Sequence, residues 1–169
     1  MVSTMIVHVI GIAALSSILV AVIIHTSLIT QSMVNENIKR VLNDIANTLV
    51  LQIRYAMNTG NNITLSLDYP VLVGNDRTYN IYLGTGHAIH KLYSWSTIPD
   101  DDNIYVFLIE PRSNIYAYSL VSPSYSNGYN ITLPSDPLIF GSTIAVSLKI
   151  TVVGNVMNIT IIRGEVIYH

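Results

Sequence analysis

The sequence predicts an α+β protein in which a long N-terminal hydrophobic helix precedes an antiparallel, Ig-like β-sandwich of about eight strands. Three observations lead to this prediction. No charged residue occurs from Met1 to Val34, a helical period continues to Met57, and the period changes to two from Ile63 onward. We expect an apolar helical part at 1–34, an amphipathic part at 35–58 and the sandwich at 59–169.

The apolar part is long enough to cross a bilayer, which takes about 20 apolar residues. The run from Val9 to Ile24 is almost purely aliphatic, and the first charge is Glu36. A secretory signal peptide has a basic start, a shorter apolar core and a small-residue cleavage site, and this chain has none of them. His8 and His25 lie in the apolar helix, where a neutral imidazole is expected to bond the backbone of a neighbouring subunit.

The amphipathic part continues the helix without a proline or glycine after Ile12. One helix over about 3–57 would be roughly 80 Å long, and it should end at the turn Asn58–Asn62 with Gly60 as its C-cap. Apolar residues recur every three or four positions and predict a stripe that packs on the sandwich. These residues are Val34, Ile38, Leu42, Ile45, Leu49 and Ile53.

The rest of the chain consists of short Ile-, Val-, Tyr- and Thr-rich segments separated by turn residues, which favours a sandwich. No helix is expected after Met57. Because Lys and Glu are scarce while Tyr and Asn are abundant, we expect a tyrosine-rich surface, covered by copies of the chain or by sugar. The predicted strands lie in 63–73, 79–84, 90–95, 103–109, 114–121, 129–133, 144–153 and 158–168.

Composition excludes several classes of protein. Only 11% of the 169 residues are charged, against about 25% in ordinary soluble domains, and half are hydrophobic, so the chain is not intrinsically disordered. A net charge of −2 with eight Lys and Arg does not provide a nucleic-acid surface. With no cysteine, the chain has neither a disulfide framework nor a thiolate metal site.

We find no sequence pattern for catalysis, for a cofactor or for a metal. The Asp100–Asn103 run lacks the spacing of a calcium loop and is interpreted as a solvated turn. His87 and His90 are not spaced as a metal pair, and Glu110 and Glu165 form no acid–base pair with another carboxylate. Three N-x-Thr sequons make N-glycosylation an open question for an exported chain. Their asparagines are Asn62, Asn130 and Asn158.

Two topological signals conflict. Lys39 and Arg40 follow the apolar run and no basic residue precedes it, which by the positive-inside rule places the β-domain in the cytoplasm. Low charge, abundant Tyr and Asn, and the sequons are instead typical of an exported domain. Both signals fit if a basic leader preceded residue 1 and was removed.

In its architecture the chain resembles the archaeal branch of the type IV pilin and archaellin superfamily, along its whole length but without a sharp motif. It departs from the bacterial pattern at Met1, Met5 and Val22, as archaeal members do. The resemblance implies a subunit, inserted in the membrane before assembly, that polymerises with copies of itself into an extracellular filament. The resemblance implies that the core of the filament contains Val9, Ile12, Leu15, Ile18, Leu19, Val22 and Ile23.

Two other interpretations stay open. An archaellum or pilus accessory protein, similar to stator components, would keep the helix in the membrane and bind the surface layer or a glycan with its sandwich. An anchored surface enzyme or sugar-binding domain would need a carboxylate pair or an aromatic platform. Trp95, the only tryptophan, is expected to lie in the core.

Overall fold

The computed structural model describes residues 2–59, 62–74 and 76–166. Helix α1 spans Val2–Asn58 without interruption, which confirms the single long helix. The C-cap predicted at Gly60 lies outside the described residues. The described strands are β1 Ile63–Ser66, β2 Asn80–Thr85, β3 Ile104–Glu110, β4 Ile115–Ser122, β5 Tyr125–Ser126, β6 Tyr129–Thr132, β7 Leu138–Gly141, β8 Ile144–Val153 and β9 Val156–Val166, and a second helix, α2, spans Gly86–Leu92.

The strands form two sheets, in the orders β1-β8-β9-β6-β5 and β4-β3-β2-β7. Every neighbouring pair is antiparallel except β6 with β9, which is parallel. The predicted α+β class is therefore confirmed, with nine described strands where about eight were expected. By compactness the chain divides into two units, one ending at Asn37 and the other beginning at Ile38.

The second unit has its main core between α1 and the two sheets. From Ile38 onward, α1 buries a residue at nearly every third or fourth position, and both sheets contribute apolar side chains to the same cluster. Leu108 of β3 and Leu148 of β8 are fully buried there. Strand β1 alternates between half-buried and exposed residues, as period two predicts for a strand with one face on the core. Helix and sheets thus remove each other's apolar faces from water.

A smaller aromatic core covers the other face of the four-stranded sheet. Tyr82, Tyr105 and Phe107 pack there against Ile89 of α2 and Ile98 of the following loop. Strand β3 is consequently buried along its whole length. A strand that is covered on both faces shows a continuous apolar run, and Ile104–Glu110 has that character.

The strand predicted over 90–95 is wrong, because this part of the chain contains the end of α2 followed by a turn. The Thr85 hydroxyl caps α2 by accepting a hydrogen bond from the Ala88 N–H at 3.2 Å. Gly86 is required next to this cap, since a Cβ there would lie 2.3 Å from the Pro99 carbonyl oxygen. A seven-residue helix makes fewer than two turns, so its period was too short to detect.

The expected tyrosine-rich surface is wrong for three of the described tyrosines. Tyr79, Tyr82 and Tyr105 are buried, and only Tyr55 and Tyr125 are strongly exposed. Buried hydroxyls have partners: the Tyr82 and Tyr93 oxygens lie 2.6 Å apart, and Tyr105 donates to Asp101 at 3.0 Å. These buried tyrosines act as core residues whose polar ends are satisfied inside the fold.

Leu49 and Leu51 form a matched pair for testing this core, because they lie on opposite faces of α1 and are 1% and 67% exposed. Leu49→Ala should lower the free energy of unfolding by about 2–5 kcal/mol, since it leaves a cavity. Leu51→Ala should change it by less than about 0.5 kcal/mol. Denaturant unfolding of the full chain in detergent, followed by β-sheet circular dichroism, measures both. Equal effects would contradict the packing described for α1.

Candidate functional site

The most distinctive surface of the chain is the apolar part of α1. Every side chain described between Ile6 and Val34 is exposed. The residues predicted for the filament core are aliphatic and between 55% and 69% exposed. They are Val9, Ile12, Leu15, Ile18, Leu19, Val22 and Ile23. Soluble monomers rarely expose large contiguous apolar patches, so a surface of this kind marks a membrane or protein contact.

Four hydroxyl groups on this surface are satisfied within the helix. The hydroxyls of Ser16, Ser17, Thr26 and Thr30 each donate to the carbonyl oxygen four residues earlier, at 2.8–2.9 Å. Such bonds let Ser and Thr lie in an apolar surrounding without an unpaired donor. His8 and His25 are exposed on the same part of the helix.

By length and composition, α1 is able to cross a membrane. Its most apolar 18-residue window has a mean hydropathy of 2.3, and none of that window is buried. An assembly interface made of helices would have the same composition. The helix therefore provides a surface that either lipid or other apolar helices can cover.

Most residues predicted to join the helix to the sandwich lie in the main core. Five of the six are at most 5% exposed and belong to the cluster that contains strand residues. These five are Ile38, Leu42, Ile45, Leu49 and Ile53. Val34 lies in the first unit and is 42% exposed.

The three sequons differ in their surroundings. Asn130 of β6 is exposed, whereas Asn158 of β9 is half-buried and accepts a hydrogen bond from the Thr132 hydroxyl. Asn62 is exposed, and its side-chain oxygen accepts from the Val152 N–H at 2.9 Å. Two sequons therefore lie side by side on the parallel pair β6–β9, with Asn130 the more accessible of them.

The acidic loop is only partly the solvated turn expected from the sequence. Asp100 and Asp102 are exposed, but Asp101 is half-buried. Asp101 accepts hydrogen bonds from the Asn103 N–H at 3.1 Å and from the Asn103 side-chain amide at 2.7 Å. The prediction was wrong for this residue because its carboxylate orders the approach to β3. Asp100 contacts His87 Nδ1 at 2.8 Å.

Trp95 is not in the core as expected, since 51% of its surface is exposed. Its ring stands edge-on to Tyr93 and Tyr116 at centroid distances of 5.8 and 5.3 Å. Burial and the hydrogen bond with Tyr82 raise the pKa of the Tyr93 hydroxyl, so the Tyr93 hydroxyl stays uncharged at neutral pH. The tryptophan completes the edge of the aromatic core rather than its centre.

Sequence reasoning missed a buried carboxylate at the β3–β4 turn. Glu110 is 1% exposed and accepts hydrogen bonds from the N–H groups of Arg112 and Ser113, both at 2.9 Å, with Arg77 at 3.3 Å. Burial opposes its ionisation. The Ser113 hydroxyl, those two N–H groups and the Arg77 charge outweigh that effect and lower the pKa of Glu110. A polar residue that ends a continuous apolar strand was the only signal for it.

Taken together, the candidate site is an extended helix surface and not a cleft. Within 2–59, 62–74 and 76–166, no group of three or more His, Asp or Glu residues is arranged to hold a metal. The Glu165 side chain lies outside the described part. No protein-family model, curated protein or solved structure matches this chain.

Glu110 makes the stability of the second unit depend on pH. Because its pKa is lowered on folding, the ionised carboxylate stabilises the fold fully above its ordinary pKa of about 4.5. This stabilisation is lost as the pH falls through the lower pKa of the folded state. Glu110→Gln should lower the free energy of unfolding by about 1–3 kcal/mol at neutral pH, and should weaken its acid dependence. Denaturant titrations at neutral and acidic pH measure both, and an unchanged pH profile in the variant would contradict this role.

Proposed function

We propose that this chain is the structural subunit of an extracellular filament of the archaeal type IV pilus kind. The observation that supports it best is the uncharged, exposed surface of α1 up to Val34. The helix continues into a second half that fills the core of a β-domain. Such a chain presents one end for packing with identical helices and carries a folded domain on the other.

The free energy available from the apolar surface supports assembly. Ten large aliphatic side chains between Val9 and Ile24 are 54–69% exposed. If burial of each is worth roughly 2 kcal/mol, the ten give on the order of 20 kcal/mol gross. Loss of translational and rotational freedom removes much of this. Head-to-tail contacts that do not close into a ring then generate an open helical polymer.

In this proposal the subunit is inserted in the membrane before assembly, and its β-domain lies outside the cell. Lipid covers the apolar helix in the membrane, and copies of the same helix cover it in the filament. The sequons, above all the exposed Asn130, agree with an exported domain.

The second candidate is a membrane-anchored accessory protein whose β-domain binds a surface layer or glycan. The observation that favours it is that the apolar helix meets the requirement for one bilayer span by itself. In this case the helix never leaves the lipid, and no contact between copies is required.

Leu19→Lys separates the two candidates. In an anchor, a lysine near mid-span costs about 3 kcal/mol on insertion scales, so some protein should still reach the surface. In a filament, every copy would place a desolvated, unpaired ammonium in the shared core, and assembly should stop. Electron microscopy of cells, with immunoblots of membrane and sheared fractions, measures the outcome. Filaments in native number from Leu19→Lys would contradict the proposal.

Asp102→Lys is the matched control, because it introduces the same side chain at an exposed position of the second unit. Asp101 is unsuitable, since its carboxylate accepts hydrogen bonds from Asn103 and Tyr105. Asp102→Lys should leave the number of filaments near that of the native chain.

A further inference from the structure

Three charges on the amphipathic part of α1 form no ion pair within the described residues. Lys39, Arg40 and Asp44 are all exposed. The ion pairs within the described part of the chain are Arg77–Glu110 and His87–Asp100. Arg54, the next cation along α1, donates instead to the carbonyl oxygens of Val121 and Leu120 at 2.7 and 2.9 Å.

These charges follow closely after the apolar surface, since Lys39 lies five residues beyond Val34 in the chain. If the apolar helices pack together, as the proposed function requires, neighbouring copies come near this stretch and exclude water from it. An unpaired charge in such a surrounding is destabilising, whereas a pair with good geometry is tolerated. Arg40 and Asp44 lie one turn apart in the same helix but form no ion pair there, so in a homopolymer a second copy of this chain is the other source of the opposite charge.

We propose that Lys39 and Arg40 of one subunit pair with Asp44 of a neighbouring subunit, and that this pairing sets the axial register between helices. The inference rests on the proposed filament function. Parallel helices at zero offset would place Lys39 against Lys39 and Asp44 against Asp44. An offset of four or five residues, about 6–7.5 Å at 1.5 Å per residue, instead brings the basic pair level with the acid. Charge complementarity therefore selects a staggered arrangement and excludes an in-register one.

Two charge-uniform variants of the full chain test the pairing. Asp44→Lys makes the three positions all basic, and Lys39→Asp with Arg40→Asp makes them all acidic. Glu36, which also has no ion pair within the described residues, stays unchanged in both. Each variant carries its own epitope tag and is produced alone and together with the other. External protease first establishes that the β-domain is outside the cell, and sheared filaments are then counted and labelled for both tags.

The pairing predicts few or no filaments from either variant alone, because like charges then face each other between copies. Co-expression should restore filaments that contain both tags, since the two variants are complementary. Filaments in native amount from either variant alone would overturn the inference and leave the proposed function intact. Failure of the mixture would overturn it too, because the residues would then be needed for something other than pairing. Absence of filaments from the native chain would instead refute the proposed function itself.

Discussion

The need to remove an uncharged helix surface from water is the constraint on which the rest of this chain depends. The two parts of α1 meet that need differently. From Ile38 onward the helix buries one face against two sheets of the same chain. Every side chain described between Ile6 and Val34 is exposed, and the hydroxyls of Ser16 and Thr26 are satisfied by carbonyls of the helix itself. An uncharged surface of large aliphatic side chains is favourably covered by lipid or by another apolar helix, and both proposed functions follow from that requirement.

The β-domain depends on the same helix for its own stability. The buried residues of α1 belong to the cluster that also contains the inner residues of β2, β3 and β8. Removal of the helix from Ile38 onward would expose both sheet faces at once. The four-stranded sheet needs a second cover, which α2 and the aromatic residues around Phe107 provide.

Helices and strands with a long, regular alternation of apolar and polar residues were predictable from the sequence. Short elements, and elements that depend on contacts with other parts of the chain, were not. The apolar stripe of α1 and the alternation of apolar and polar residues in β8 are long enough to identify a helix and a strand from the sequence. Strands β5 and β7 contain two and four residues and exist because β6 and β2 pair with them. Helix α2 depends on a cap and on the close approach of Gly86 to Pro99. Glu110 and Trp95 each have a partner that is distant in sequence, Arg77 and Tyr116 respectively, which no local pattern encodes. The partners of Asp101 are only two and four residues away, but a run of aspartates does not show which of them is held by such bonds. The apolar surface was identifiable because it depends on composition alone.

The most direct test is to examine material sheared from the surface of cells that make the native chain, by electron cryo-microscopy together with mass spectrometry. The central claim is that copies of the chain cover one another's apolar helices. It predicts helical filaments that consist of this chain, with the helix segments up to Val34 packed around the filament axis and the β-domains outside. It would be contradicted if the chain remained entirely in the membrane fraction, or if the filaments that contain it had an axis free of these helices.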